Sequence, residues 1–133
     1  MLELAVRWGQ EPATLKSLAQ SQDIPEKYLW HILHPLAVAG LVKATRGSSG
    51  GYSLAKPPGE ITVKDILAPL EGPPFSLECL ANKEACKKSE ACAAREMWGE
   101  LGRRIAHAME SITLQDMMEQ HSAKQNQAFS FSI

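Results

Sequence analysis

The amino-acid sequence predicts a mostly α-helical fold with one small β-hairpin. Two short amphipathic segments follow one another over residues 13–36, and a glycine-rich segment with apolar flanks covers residues 41–55. A heptad-like apolar pattern over residues 94–112 then predicts one long helix. The 133 residues, 44% hydrophobic and 22% charged, are enough for one domain, or for one domain with an extension.

The first segments are predicted to be short helices joined by tight turns. Residues 1–9 are predicted to form the end of a helix, and residues 13–20 a short amphipathic helix that is followed by a turn at residues 21–22. Asp23 and Glu26 have the spacing of a capping box, which predicts the start of the next helix.

This next helix, the second of the pair, carries an apolar stripe and ends near Gly40, which is well placed as its C-terminal cap. Pro35 lies inside it and is expected to bend or shorten it, because proline removes one backbone hydrogen bond. The apolar stripe consists of Tyr28, Leu29, Ile32, Leu33 and Leu36.

Two short helices separated by a three- or four-residue turn form a helix-turn-helix. The residues that follow predict a strand at 41–45, a glycine-rich loop at 46–51 and a second strand at 52–55, which is a wing. Six Lys or Arg against four acidic residues give residues 1–56 a charge of +2. The first half is therefore where a DNA-binding surface is expected, and a protein-binding module that uses the same helix is the alternative.

Three cysteines, Cys79, Cys86 and Cys92, lie in one short polar stretch of the second half. An odd number of cysteines cannot all pair as disulfides within one chain. Six and five residues lie between successive cysteines, and loops of this length let three thiolates converge on one centre. Sulfur-rich ligation suits an iron–sulfur cluster or zinc, although zinc would need a fourth protein ligand. The cluster is the favoured hypothesis, and zinc or a metal-free segment are the alternatives.

The remaining residues predict three more helices. Thr62 and Asp65 form a capping box for a helix that ends at residues 71–74. From about residue 89 to residue 111, a heptad-like seam is typical of helices packed along one another, here from two copies of the chain. The alternative is a helix that packs on its own domain. The predicted dimer interface comprises Trp98, Leu101, Ile105, Ala108 and Ile112.

Gly99 and Gly102, which each cost about 1 kcal/mol relative to alanine inside a helix, would allow a partner helix to approach closely. Thr113 and Asp116 then cap a short final helix. The sequence thus divides into a winged helix-turn-helix domain (1–72), a cysteine-rich loop (73–92), a long dimerisation helix with a short terminal helix (93–121) and a flexible tail (122–133).

Several short motifs occur along the chain in a fixed order before the three cysteines. They are Ile24–Leu29, Ala39–Val42, Arg46–Gly47, Gly50–Tyr52, Glu60–Val63 and Leu70–Gly72. This order resembles the Rrf-two family of bacterial winged-helix regulators, which includes the IscR-type iron–sulfur regulators and the NsrR-type nitric-oxide sensors. The resemblance spans about residues 1–118.

The resemblance implies a homodimeric transcriptional repressor or activator that binds double-stranded DNA and whose operator affinity an iron–sulfur cluster modulates. Cys79, Cys86 and Cys92 would hold the cluster, of the two-iron two-sulfur or four-iron four-sulfur type. The implied DNA contacts lie on the recognition helix and the wing: Lys27, Tyr28, Trp30, His31, Arg46, Gly47, Ser48, Ser49 and Gly50. No fourth ligand is assigned, because IscR-like proteins carry a histidine where this chain has Arg95. The chain is also expected to begin inside the first family helix.

Features that the sequence lacks give expectations about cellular location and enzymatic activity. No apolar run approaches the roughly 20 residues of a membrane helix, and the N-terminus has no signal-peptide pattern. Free thiols suit a reducing compartment, so a cytoplasmic protein with no membrane partner is expected. A thiol redox catalyst is the least favoured alternative, since the chain has no Cys-X-X-Cys pair and no nucleophile–base pattern.

Overall fold

Helices dominate the computed structural model, which describes residues 1–73 and 77–131. In chain order the elements are α1 (Leu2–Val6), α2 (Leu15–Gln22), α3 (Glu26–Val38), β1 (Val42–Thr45), β2 (Gly51–Leu54), α4 (Val63–Glu71), α5 (Glu78–Ala81), α6 (Ala93–Glu110) and α7 (Leu114–Ser130). Short 3-10 turns occupy Pro58–Glu60, Lys83–Ala85 and Ser89–Ala91. The predicted class, mostly α with one small hairpin in a winged helix-turn-helix arrangement, is confirmed.

The buried face of α3 is narrower than the sequence pattern indicated. Leu29, Leu33 and Leu36 are buried in the core, and Ile32 packs beside them half-buried. Tyr28, however, is 59% exposed, so its placement in the apolar stripe is wrong. Residues spaced by four and three keep to one side of a helix, and Tyr28 lies just outside that side.

The turn between α2 and α3 also differs from the prediction. Residues 21–22 belong to α2, and Asp23 ends this helix in the left-handed conformation, with φ of 52°. Asp23 therefore does not cap α3, which begins after Pro25 without a side-chain cap. The Asp23 N–H donates to the carbonyl of Gln20, so the three residues 23–25 form the turn of the helix-turn-helix.

Pro35 does not shorten α3, which continues to Val38. Leu33 and Leu36 are buried on either side of Pro35, and their packing offsets the backbone hydrogen bond that proline cannot make. Gly40 terminates the helix as predicted, with φ of +75°. Its N–H donates to the carbonyl of Ala37 and the N–H of Leu41 to that of Leu36, both at 3.0 Å, which is a Schellman motif.

The wing is an antiparallel hairpin in which Val42 pairs with Leu54 and Thr45 with Gly51. Ala13 adds one further bridge: its N–H donates to the Tyr52 carbonyl at 2.9 Å, and the Tyr52 N–H donates to the Ala13 carbonyl at 2.7 Å. The predicted strand–loop–strand order is confirmed, and the loop between the strands covers residues 46–50. The wing is thereby attached to the chain just before α2.

Two of the three predicted capping boxes are present, the exception being Asp23 and Glu26. Thr62 caps α4 through Asp65, and Thr113 caps α7 through Asp116. The Thr113 backbone N–H and hydroxyl both donate to the Asp116 carboxylate, and these bonds lower the pKa of Asp116. A fully buried residue lies next to each threonine: Ile61 precedes Thr62, and Leu114 follows Thr113.

The two capped helix starts are joined by backbone hydrogen bonds. The Leu114 N–H donates to the carbonyl of Ile61, and the Val63 N–H donates to that of Ile112, both at 2.9 Å. This small bridge connects the segment after the wing with the start of the last helix. It allows α6 to return along α4, where Lys64 and Glu110 form an ion pair.

The C-terminal helix is longer than predicted. Residues 122–130, expected as part of a flexible tail, continue α7, which packs against α1 and the turn at Pro58–Glu60. Residues 118–128 contain neither glycine nor proline and are mostly strong helix formers, so a helix that the core nucleates at Leu114 can continue through them. The helix α4 ends at Glu71, within the predicted range of residues 71–74. Residues 74–76 of the predicted cysteine-rich loop and residues 132–133 lie outside the described residues.

Leu114→Ala is expected to lower the free energy of unfolding by about 2–5 kcal/mol, since the side chain is fully buried and its loss leaves a cavity. Denaturant unfolding followed by circular dichroism measures the change. Phe129→Ala, on the same helix but 75% exposed, serves as the control and should shift stability by less than about 0.5 kcal/mol. Equal effects of the two variants would contradict the role of Leu114.

Candidate nucleic-acid interface and cysteine segment

One face of α3 is turned to solvent and carries polar and aromatic side chains. Lys27, Trp30, His31 and His34 follow the i, i+3, i+4, i+7 spacing of a single helix face, and all four are exposed. This face lies opposite Leu29, Leu33 and Leu36. The predicted contact residues Lys27, Trp30 and His31 are therefore brought together, with exposed Tyr28 beside them.

The aromatic rings on this face are packed against one another. The indole of Trp30 stacks on the imidazole of His34, with centroids 5.1 Å apart and an interplanar angle of 18°. The ring of His31 meets the same indole edge-on, also at 5.1 Å. His34 is absent from the contacts that the sequence resemblance implied. His34 follows Trp30 by four residues in the sequence, and this helical spacing could have placed it on the same face.

The wing loop is exposed and tightly turned. Arg46, Gly47, Ser48 and Ser49 are exposed, and Gly50 is half-buried. Gly47 has φ of +109°, a conformation that residues with a side chain rarely adopt. A Cβ atom on Gly50 would lie 2.2 Å from the Thr45 carbonyl oxygen, so only glycine fits there.

The cysteine segment, residues 77–92, forms α5 and two short 3-10 turns on the surface. Cys79 and Cys92 are half-buried and Cys86 is exposed, and all three are free thiols. Arg95 Nε of α6 donates to the carbonyl of Cys79 at 2.8 Å, and within the segment the buried Ser89 Oγ donates to that of Lys83 at 2.7 Å. The role of Arg95, in the first turn of α6, had no signal in the sequence.

The three thiols are not gathered into a metal centre. Within residues 1–73 and 77–131, no three His, Cys, Asp or Glu side chains are arranged to hold a metal ion. The predicted convergence of Cys79, Cys86 and Cys92 is therefore absent from this arrangement of the chain. Three thiols next to Lys83, Lys87 and Lys88 still match the soft donor set of an iron–sulfur cluster. The donor chemistry fits such a group, and the segment would have to rearrange for all three to ligate it.

The contact between the cysteine segment and α6 is open. A cleft of about 610 Å³ lies between α5 and α6, lined by Leu80, Arg95, Glu96, Gly99, Glu100 and Arg103. A Cβ atom on Gly99 would meet the Leu80 side chain at 3.6 Å. Gly99 thus faces α5 of its own chain.

The predicted dimer residues form an apolar stripe along α6 and the segment that follows it, and the described part of the chain covers this stripe only in part. Trp98, Leu101, Ala108 and Ile112 are exposed, and Ile105 is half-buried. A charged cluster lies on the other side of α6: Glu100 accepts hydrogen bonds from Arg104 and Arg103, each at 2.8 Å, and these bonds lower the pKa of its carboxyl.

No helix within residues 1–73 and 77–131 combines the length and the apolar character that crossing a bilayer requires.

Comparison with known proteins gives the family. The sequence model of the Rrf2 protein family, which is described as an iron-dependent transcriptional regulator, matches residues 1–120. The chain belongs to the Rrf2 family of transcriptional regulators. It is similar to the HTH-type transcriptional regulator CymR of Bacillus subtilis (strain 168), with 38% identity over 133 residues, which are 100% of this chain and 91% of CymR.

Two solved structures show the same fold in regulators of this family. The structure of CymR, described as the global cysteine regulator of B. subtilis, superposes with a TM-score of 0.71 and 37% identity over 90% of this chain and 87% of CymR. The structure of T. potens IscR gives a TM-score of 0.73 and 34% identity over 93% of this chain and 81% of IscR. The resemblance drawn from the sequence motifs is confirmed. Family membership implies DNA binding, and these relatives are regulators rather than enzymes.

Proposed function

We propose that this chain is a homodimeric transcriptional regulator that binds DNA through α3 and the wing, and that an iron–sulfur cluster at Cys79, Cys86 and Cys92 modulates its affinity for the operator. The observation that carries the DNA-binding part is the exposed face of α3. A single amphipathic helix buries three leucines and presents Lys27, Trp30 and His31 together to solvent.

The wing supports the same assignment. Arg46 is exposed at the start of a loop whose glycines keep the backbone tightly turned, and α3 packs against the adjoining strand β1. In winged helix-turn-helix proteins the recognition helix enters the major groove, and basic residues elsewhere contact phosphates. Lys27 and His31 would therefore contact base edges or nearby phosphates, and Arg46 would reach phosphate or the minor groove.

The apolar stripe of α6 supports a dimer. Trp98, Leu101 and Ile112 are large apolar side chains that keep 36%, 37% and 45% of their surface exposed, which is typical of a stripe that an interface covers further. A second copy of α6 would cover the stripe. Two recognition helices placed about 34 Å apart would then read successive major grooves of a roughly palindromic operator.

The donor set supports the cluster. Cys79, Cys86 and Cys92 would hold it, and when bound it would supply a metal centre whose oxidation or loss can act as a signal. The segment is joined to α6 through the bond between Arg95 and the Cys79 carbonyl. A rearrangement that gathers the thiols would change this bond at the first turn of α6 and so reach the proposed dimer contact.

A second candidate is a regulator of the same fold that works without a cluster, or with zinc. The three thiols are not gathered in the described residues, and the chain is similar to CymR, which is described as a global cysteine regulator. Iron, sulfide and zinc analysis of the purified protein separates these candidates.

Binding to the DNA around its own promoter is expected to weaken steeply as the salt concentration rises, because several phosphate contacts release counterions. Arg46→Gln should reduce the slope of the logarithm of the association constant against the logarithm of the salt concentration by about one for each protomer, because one phosphate contact is lost. Fluorescence anisotropy measures both. Lys124→Gln, which removes a charge from α7, is the control and should leave the slope unchanged. Binding that does not depend on salt would refute DNA recognition. A protein that does not bind this DNA, either before or after reconstitution with iron, would refute it as well.

Protein purified without oxygen is expected to be coloured and to contain iron and sulfide. Cys86→Ala should lose both, because a site with three thiolates cannot readily replace one of them. Glu84→Gln, an exposed neighbour without a thiol, should keep its iron. A colourless wild-type protein that takes up no iron during anaerobic reconstitution would contradict the cluster and favour the cluster-free regulator.

Leu101→Glu is expected to yield monomers, because it places a carboxylate in each copy of the packed apolar stripe. Sedimentation velocity measures the change, and DNA affinity should fall with it. His107→Glu alters the same helix outside the stripe and should remain dimeric. A Leu101→Glu protein that stays fully dimeric would place the interface elsewhere.

A further inference from the structure

Trp30 is an unusual side chain to leave on the outer face of the recognition helix. It is 44% exposed, although the leucines of α3 show that the core could accept apolar side chains from this helix. Its neighbours on the same face are Lys27, His31 and His34, all polar. The indole is thus an apolar surface within a polar face that, under the function proposed above, meets DNA.

The indole is also held in place before any partner arrives. His34 stacks against it, and His31 contacts it edge-on, each with centroids 5.1 Å away. A ring already fixed by two neighbours loses little side-chain freedom when it enters an interface. Such an arrangement suits a contact that must select one shape and one chemistry.

Duplex DNA offers few apolar groups to a helix in the major groove. The bases are stacked, so a side chain meets their edges rather than their faces. Among these edges, thymine presents the C5-methyl group, whereas cytosine presents an amino donor at the neighbouring position. Indole has no acceptor for that amino group, since its only polar group is an N–H donor. An apolar ring at this place therefore favours thymine and disfavours cytosine.

We infer that Trp30 is a specificity-determining residue that contacts a thymine methyl group in each operator half-site. The inference rests on the proposed function, because it requires α3 to enter the major groove. His31 and His34 are positioning residues in this arrangement, since they orient the indole. Lys27 would supply the charge for a nearby phosphate or guanine edge.

The test begins with duplexes that the full-length wild-type protein selects from a random pool. Each thymine of the selected site is then replaced singly by deoxyuridine, which removes only the methyl group. Replacement of the thymine that Trp30 contacts in one half-site is expected to weaken binding about fourfold, because the free energy of burying one methyl-sized group is lost. Replacement in both half-sites should weaken it about sixteenfold.

Trp30→Ala identifies the side chain responsible. This variant should bind the thymine and deoxyuridine duplexes equally well at that position, while Trp30→Phe should retain part of the discrimination. Val38→Ala, 76% exposed at the end of the same helix, is the control and should keep the full wild-type discrimination. Thermal unfolding by circular dichroism shows which variants are folded, and Trp30→Phe provides the comparison if Trp30→Ala is not.

The outcomes separate this inference from the function on which it rests. Failure to select any duplex would overturn the DNA-binding proposal and this inference with it. Salt-sensitive binding of a selected duplex in which no thymine methyl matters would overturn this inference alone. Equal thymine discrimination by wild type and a folded Trp30 variant would also overturn it. An indole that instead contacts a protein partner would give one of these last two results.

Discussion

The backbone bridge between Ile61–Val63 and Ile112–Leu114 is the constraint on which the rest of the structure depends. Its two hydrogen bonds join segments that are about fifty residues apart, and Ile61 and Leu114 are fully buried beside them. Because of this bridge, α7 begins within the core of the winged domain. The chain between the two segments must leave and return to the same point, so α4 and α6 are brought side by side.

The exposed face of α3 follows from how little of this helix the core covers. Three buried leucines and half-buried Ile32 attach the helix, and the bonds from Gly40 and Leu41 terminate it at the start of the wing. Most of the helix circumference is left for solvent, where Trp30, His31 and His34 pack against one another. Core packing thus orients the surface that DNA would meet, although none of the exposed residues belongs to the core.

The cysteine segment has no comparable support. It is made of short turns, its thiols are half-buried or exposed, and an open cleft separates α5 from α6. A hydrogen bond from Arg95 joins it to α6, and a hydrogen bond from Ser89 to Lys83 lies within it. A segment held in this way can change conformation at a small energetic cost, which suits a site that responds to a signal. The Arg95 bond also joins it directly to the helix that carries the proposed dimer contact.

Local chemistry let the sequence by itself determine most of the helices, the hairpin, two capping boxes, the Gly40 terminus and the family. These features depend on residues within a few positions of one another: threonine with aspartate three residues later, glycine after a helix, leucines at helical spacing. The exposed stripe of α6 and the wing glycines were predictable for the same reason. Only the tertiary structure decided the rest, because it depends on contacts between distant residues. Burial of Leu114 in the core lets α7 extend beyond its predicted end. The packing of Leu33 and Leu36 lets α3 continue past Pro35, and Gly99 faces Leu80 of its own chain. The cysteine spacing showed which ligands were available, but the positions of the three thiols depend on turns and on Arg95, which no local pattern encodes.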